Sequence, residues 1–505
     1  STGARLSMER EVLPMKSKAV IIGAGFGGLS CAVTLAVKGW EVTVLERQPQ
    51  PGGKLQRIKS YGYSFDRGPS TITMPHVFRS LYELAGVSME DYVQLYELEP
   101  RTRNVFSDGV QVDLSRNIEF MKEQIATYSP EDAARYSDFM AEAAVLYRLS
   151  EKQFLNRLML SWRDKISLTL IRDLLRIRPL LSLHSLLLRY FRHPNTLAML
   201  GRYATYVGSS PYQSPSIFAM LGYLEGEDGV YGVRGGTYKL IEGLVTLAKS
   251  LGVQIVTDTE VKAISVVNGR AQGVDTEKGF FPTQTVIAGG DVLSINQRLL
   301  PEHLRPQMSN RKIAQYEPSL SGFVTLAGVP RQYDSLLHHT VFFPEQYKPE
   351  FTDIFEKKRI PQHPTVYICH SGYSEPEMAP KGGSNLFILA NAPYLNEKSN
   401  WREESHLYSE RISTTLAGHG INAIEKAEIL QYYTPQDLAE DTLAYKGGIY
   451  GISSNSVQQT FSRPGNRSKD VKGLWYVGGT THPGGGTPVV SLSGRLVGEH
   501  IASHM

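Results

Sequence analysis

An α/β fold with a parallel sheet is predicted by three features of this 505-residue chain. Near the N-terminus a short apolar strand runs into a glycine-rich turn, then a helix, then a second strand tipped by an acid. Near the C-terminus another apolar strand ends in glycines and feeds a further helix. Between them, strand-like and helical runs extend too far for one domain, so two or three domains with sizeable cores follow from the length.

The N-terminal elements come first. Lys18–Ile22 is apolar and bounded by glycine, as suits a strand buried on both faces. It enters Gly23-Ala24-Gly25-Phe26-Gly27-Gly28, a helix over residues 29–38 ended by Gly39, and a strand over Glu41–Leu45 with Glu46 at its tip. This is the strand–turn–helix–strand context that gives GxGxxG its meaning as a dinucleotide fingerprint. Gly23 makes the tight turn, Gly25 admits the pyrophosphate, and Gly28 lets helix and strand approach. The helix N-terminus offers free N–H groups and a positive dipole end to phosphate. Glu46 suits the ribose hydroxyls and disfavours a 2′-phosphate, so NADP is not expected. A second glycine turn, Gln50-Pro51-Gly52-Gly53-Lys54, follows, then Asp66-Arg67-Gly68-Pro69-Ser70.

At the other end, residues 474–477 read as a strand running into Gly478-Gly479. The loop Thr480-Thr481-His482-Pro483-Gly484-Gly485-Gly486 then opens a helix whose first turn holds Pro488 and Val489. Centrally, a helix is expected from about residue 236 to 250. Residues 252–255 and 260–264 resemble the strand pair that lies beside the adenine in a known flavoprotein family, and Asn268-Gly269 marks a hairpin. Residues 285–288, followed by Gly289-Gly290-Asp291, resemble the strand that returns the chain to the cofactor domain in the same family.

Composition narrows the class. With 53 basic and 50 acidic residues the net charge is +3, so no basic field argues for nucleic acid. An apolar share of 41% and a charged share of 20% exclude a disordered tail, a fibrous repeat and a polytopic membrane protein. Cys31 and Cys369 alone cannot build a disulfide scaffold or a cysteine-rich metal site, and suit a reducing compartment. Glycine, at 46 residues, is enriched at the ends: residues 19–68 hold nine and residues 447–498 hold twelve. Residues 19–37 are uncharged and superficially resemble a signal or membrane segment, but their clustered glycines break such a helix. Residues 1–14 read as a leader or cloning remnant outside the fold.

The motifs at both ends resemble the FAD-dependent amine oxidase-like superfamily, and within it the carotenoid desaturase and oxygenase family, over nearly the whole chain from Met15. The resemblance implies an α/β fold: a Rossmann-like FAD-binding domain of the amine oxidase/phytoene desaturase type from residues 15–100, 234–295 and 466–505. A helical, membrane-contacting subdomain would span 101–233, and a mixed-sheet substrate domain 296–465. FAD is the implied cofactor. The implied FAD-binding residues are Gly23, Gly25, Gly28, Glu46, Gly53, Lys54, Gly68, Pro69, Ser70, Val261, Gly478, Gly479, Pro488 and Val489. Lys54 stands where the family usually has arginine, keeping the charge but losing the planar fork. Tyr206-Val207-Gly208-Ser209-Ser210 and Gly447-Gly448-Ile449-Tyr450-Gly451 lean toward the 4,4′-diaponeurosporene oxygenase branch, which oxidises a terminal methyl of a C30 carotenoid to an aldehyde. Thr481-His482-Pro483-Gly484 leans toward the desaturases, which introduce double bonds into phytoene or dehydrosqualene. A third class, prenyl-binding escort proteins, shares the architecture but lacks flavin, and the complete motifs at both ends argue against it.

A polyene has no acidic proton and no polar handle, so the flavin must start the chemistry; oxygen or a quinone would serve as oxidant. Glu227, Tyr231 and His482 are the expected catalytic side chains. His338-His339 suggests no metal site, because neighbours on a strand face opposite ways. The second insertion should hold a sheet with strands at residues 321–329, 341–343, 366–369 and 386–389, flooring a long apolar tunnel. Residues 156–194 carry Arg157, Arg163, Lys165, Arg172, Arg176, Arg178, Arg189 and Arg192 against Asp164 and Asp173, with leucines between and Pro179 as a break. Such basic, leucine-rich helices suit a membrane interface. The expected location is cytoplasmic, peripheral on the inner face of the cell membrane.

Overall fold

The computed structural model describes residues 15–158, 160 and 168–505. Arg163, Asp164, Lys165 and residues 1–14 lie outside the described residues. The parallel sheet has five strands in the order Leu474–Tyr476, Val286–Ala288, Lys18–Ile22, Glu41–Leu45 and Gln254–Val256. Val20 faces Thr43 on one side and Val286 on the other, and Val286 faces Leu474. Three distant stretches thus close one sheet. The glycine-loop helix, Phe26–Val37, packs on the C-terminal helix, Thr487–His504. Glycines set that distance: a Cβ on Gly494 would sit 2.2 Å from the Gly27 carbonyl oxygen.

One expectation shifts here. Residues 252–255 and 260–264 do not pair with each other. Gln254–Val256 joins the parallel sheet, whereas Val261–Val267 opens a separate antiparallel sheet with Arg270–Thr276 and Gly279–Pro282. The chain turns between them at Asp258, whose φ is 51°. The hairpin at Asn268-Gly269 has positive φ at both residues, as the type I′ turn requires.

The second large sheet has seven strands, in the order Ile429–Tyr433, Ser321–Val329, Ser384–Ala392, Val366–His370, His339–Phe342, Thr102–Val105 and Gln111–Leu114. All nine residues of Ser321–Val329 are buried. The last two strands come from the stretch expected to be helical, so the helical insertion begins after Leu114. An Asp108-Gly109 turn, with Gly109 at φ 84°, joins them. Helices Ile118–Ala126 and Pro130–Ser150 follow, started by Asn117 and Ser129 side chains that accept backbone N–H bonds. Leu168–Ile177 and Leu183–Leu187 are separated near Pro179, where Arg178 takes a φ of 54°. The helices and this sheet share the largest apolar core, which includes Tyr136, Phe139, Phe191, Tyr203, Phe343 and Phe387. Among the described residues no helix is long and apolar enough to cross a membrane.

Candidate active site

The N-terminal glycines form a cradle with no room for side chains. Gly23 has φ 96°, and a Cβ on Gly28 would lie 2.1 Å from the Gly23 carbonyl oxygen. A Cβ on Gly53 would lie 3.3 Å from the Gly25 Cα, so the second glycine turn rests on the first. The Gly52 N–H donates to the Ala24 carbonyl at 2.9 Å. Gly25 starts the following helix without any side-chain cap, leaving its first N–H groups to face the cleft. Glu46 is buried at the strand tip and accepts from the Ala24 N–H at 3.0 Å and the Gln48 N–H at 2.9 Å. Burial raises its pKa, and these backbone bonds act against that rise.

The C-terminal half mirrors this arrangement. Gly478 has φ 125° and its N–H donates to the Ser493 hydroxyl at 3.1 Å. The helix Thr487–His504 starts after Gly486 with Pro488 in its first turn and again no side-chain cap. Beneath this loop lies Arg463, which the sequence reading missed. It donates to the Gly479 carbonyl at 3.3 Å and the Ser454 hydroxyl at 3.0 Å, and burial pushes its pKa down to about 10. Lys54 ties the N-terminal half to the Gly447–Gly451 segment. Its ammonium donates to the Ile449 and Gly448 carbonyls, and burial pushes it down to about 8.

One cavity of about 460 Å³ joins both halves to the core between the seven-stranded sheet and the helices. It is lined by Gly23, Gly25, Glu46, Gly53, Lys54, Gly68, Pro69, Ser70, Val261, Gly478, Gly479, Pro488 and Val489. Gly28 lies behind it and serves packing. Beyond Ser70 the walls become apolar and aromatic, with Tyr206, Leu224, Val324, Tyr367, Leu389 and Tyr433. The two segments that lean toward the oxygenase branch meet here. A Cβ on Gly208 would lie 2.9 Å from the Tyr450 ring, and the Leu320 N–H donates to the Gly208 carbonyl at 2.9 Å.

Glu227, Tyr231 and His482 do not line this cavity. Glu227 is exposed, and its carbonyl accepts from Arg116 at 2.8 Å. The Tyr231 hydroxyl donates to the Asp228 carbonyl at 2.8 Å. The His482 ring nitrogen lies 2.5 Å from the Arg157 carbonyl. A carboxylate from the same helix, Met220–Asp228, that does line the cavity is Glu225, two residues before Glu227 and buried. It accepts from Arg101 Nε at 3.0 Å and from the Tyr203 hydroxyl at 2.9 Å. His338 and His339 also depart from expectation. Their rings lie 4.7 Å apart because His338 precedes the strand, and they bond Ser374 and Tyr367 respectively.

Two uncapped helix N-termini, apposed glycine loops and a buried acid at a strand tip fit a dinucleotide extended between the halves. An apolar chamber then opens beyond it. This combination defines a flavoprotein oxidoreductase fold. The chain belongs to the flavin containing amine oxidoreductase family, whose model matches residues 26–501, and is an FAD-dependent oxidoreductase. It is 32% identical over 492 residues to the 4,4'-diapolycopene oxygenase of Methylomonas sp., covering 97% of this chain and 98% of that one. It is 31% identical over 497 residues to the 4,4'-diaponeurosporene oxygenase of Staphylococcus haemolyticus, covering 96% and 97%. Among solved structures, an oxidoreductase from Methanosarcina mazei superposes with a TM-score of 0.62 at 18% identity, over 95% of this chain and 100% of that chain. Putrescine oxidase bound to putrescine does so with a TM-score of 0.62 at 13% identity, over 97% and 100%. These two likenesses concern the fold alone.

Proposed function

We propose that this enzyme oxidises the terminal methyl of an acyclic C30 carotenoid to the aldehyde, with molecular oxygen as the oxidant. The continuity of the cavity carries this reading: the glycine-lined half opens directly into an apolar chamber suited to a polyene end. The names of the relatives support the same substrate class. When bound, FAD supplies the redox chemistry that no side chain on the walls provides. Overall, R–CH3 + O2 gives R–CHO + H2O, so atoms and electrons balance with dioxygen alone.

The residues of this chain bind, orient and exclude water. The two helix N-termini and the N–H groups of the Gly23–Gly28 turn would hold the pyrophosphate, and Glu46 the ribose. Lys54 and the Gly478–Gly479 and Pro488–Val489 backbone would seat the flavin ring beside Ser70. Leu224, Val324 and Leu389 would sheathe the polyene and keep water from the reacting end. The membrane reading rests on Leu168–Ile177, where Leu168, Ile171 and Leu175 are exposed beside Arg172 and Arg176. That apolar, basic face would rest on an anionic leaflet and take substrate from it.

Feeding C30 polyenes to the flavin-loaded enzyme, with and without oxygen, tests the reading. An oxygen-dependent aldehyde is expected. New double bonds formed anaerobically with a quinone would establish the desaturase instead. A purified protein that never holds flavin would overturn both.

A further inference from the structure

The cavity wall carries several charged groups, and nearly all are engaged within the protein. Arg47 and Arg298 both approach Glu260, at 3.8 and 3.7 Å, and Arg67 covers the Tyr433 ring and approaches Asp441 at 3.8 Å. Glu225 is paired with Arg101, Glu46 with backbone N–H groups, and Lys54 with two carbonyls. Asp291 accepts from the Leu293 and Tyr445 N–H groups. Arg202 is the exception. Among the described residues its guanidinium makes no hydrogen bond or ion pair, and its contacts are the Tyr206 and Tyr367 rings, each 5.5 Å away. Glu225 lies within its electrostatic reach but is hydrogen-bonded to Arg101 and Tyr203, and Glu350, a second buried carboxylate within that reach, is not its hydrogen-bond partner either. That carboxyl accepts from the Thr365 N–H at 2.6 Å, and burial pushes it up to about 7.

The aromatic rings and the Glu225 charge favour the Arg202 cation electrostatically, but they leave its N–H groups without a hydrogen-bond acceptor, and a desolvated, unsatisfied donor costs free energy. Its five N–H donors accept nothing and are satisfied only by oxygen or another acceptor. The position is specific. Tyr367, under Arg202, shares a 2.7 Å hydrogen bond with Ser70 at the flavin-motif end of the cavity. Arg202 therefore stands where the glycine-lined half meets the apolar half.

We infer that Arg202 is the receptor for the oxygen-bearing end of the polyene, its guanidinium donating to the carbonyl oxygen of a terminal aldehyde seated beside Tyr206 and Tyr367. This rests on the polyene reading above and deepens it. A hydrocarbon end meets only the apolar and aromatic walls, whereas an oxygenated end gains a charge-assisted hydrogen bond. The site thus holds the aldehyde that the proposed oxidation forms at that end more tightly than the methyl end it starts from.

The test compares binding of an acyclic C30 polyene and its monoaldehyde to flavin-loaded wild type, R202M and R202K. Bound to wild type, the aldehyde should absorb at longer wavelength than in detergent, because a cation at the carbonyl stabilises the polarised excited state. R202K should keep part of that displacement. R202M should lose it and bind the aldehyde about tenfold more weakly, with hydrocarbon affinity changed less than about threefold. Equal losses for both ligands, or an unchanged aldehyde spectrum in R202M, would overturn the assignment. Loss of flavin from both R202M and R202Q would make Arg202 a structural residue and overturn it too. Wild type that binds neither ligand would defeat the polyene reading itself.

Discussion

Gly28 illustrates how a single hydrogen can decide a cofactor site. Its missing Cβ leaves the space in which the helix carrying it meets the Gly23 carbonyl, 2.1 Å from where that carbon would stand. The obstacle is backbone, so no rotamer change relieves it. Gly28→Ala is expected to cost about 1–3 kcal/mol of stability through overpacking and to displace the Gly23–Gly25 turn. Flavin content after purification and the thermal unfolding midpoint check this, and a variant with full flavin and an unchanged midpoint would refute it. At this scale the sequence was most legible where function is local. Gly23, Gly25, Gly28, Glu46 and Gly53 lie within thirty residues of one another, and their turn and strand-tip geometry follows from local backbone rules. Glu225, Arg202, Tyr367, Arg463 and Tyr450 were not legible as wall or support residues. They come from three separated stretches, around residues 202–225, 367 and 450–463, and no spacing rule connects them. Sequence proximity also misdirected: His482 lies in the flavin loop, yet its ring turns toward Arg157.

At the scale of the element, Leu168–Ile177 carries two opposed faces. Leu170, Asp173 and Ile177 point inward, and buried Asp173 accepts from Gln153 at 2.6 Å. Leu168, Ile171 and Leu175 point outward, with exposures of 87%, 48% and 74%. Asp173, though buried, lies 3.6 Å from Arg172 and 3.5 Å from Lys152, so its charge offsets part of the basic face, and Arg176 is the cation of this helix that stands beside the exposed apolar residues without that partner. Replacing Leu168, Ile171 and Leu175 together with serine should weaken binding to anionic vesicles at least about a hundredfold, at ~1 kcal/mol or more per removed side chain. Cosedimentation measures it, with flavin retention showing that the fold survives. Equal sedimentation of the variant and wild type would remove membrane contact from the functional reading.

At the scale of the whole molecule, the seven-stranded sheet encloses imidazoles that must stay neutral. Burial pushes His370 down to about 4, and neither ring nitrogen has a hydrogen-bond partner in the structure. The folded state therefore binds this proton less readily than the unfolded chain. Its stability contribution is complete above the unfolded value near 6.5 and is lost as pH falls toward 4. His370→Leu removes that loss. The variant should gain on wild type by about 1.4 kcal/mol per pH unit below 6.5, read as converging or crossing unfolding midpoints between pH 7.5 and pH 5. Parallel pH profiles would show that His370 is protonated equally in both states.

The order of elements, the parallel strands, the glycine cradles and the amine oxidoreductase resemblance were readable from residues alone, because period, turn chemistry and helix-end geometry are local properties. Only the tertiary structure placed Thr102–Val105 and Gln111–Leu114 at the edge of the seven-stranded sheet. It also joined Tyr206–Ser210 to Gly447–Gly451 and selected Glu225 over Glu227 for the cavity wall. Those outcomes depend on which distant surfaces bury against each other, and burial is a property of the packed chain rather than of any segment within it.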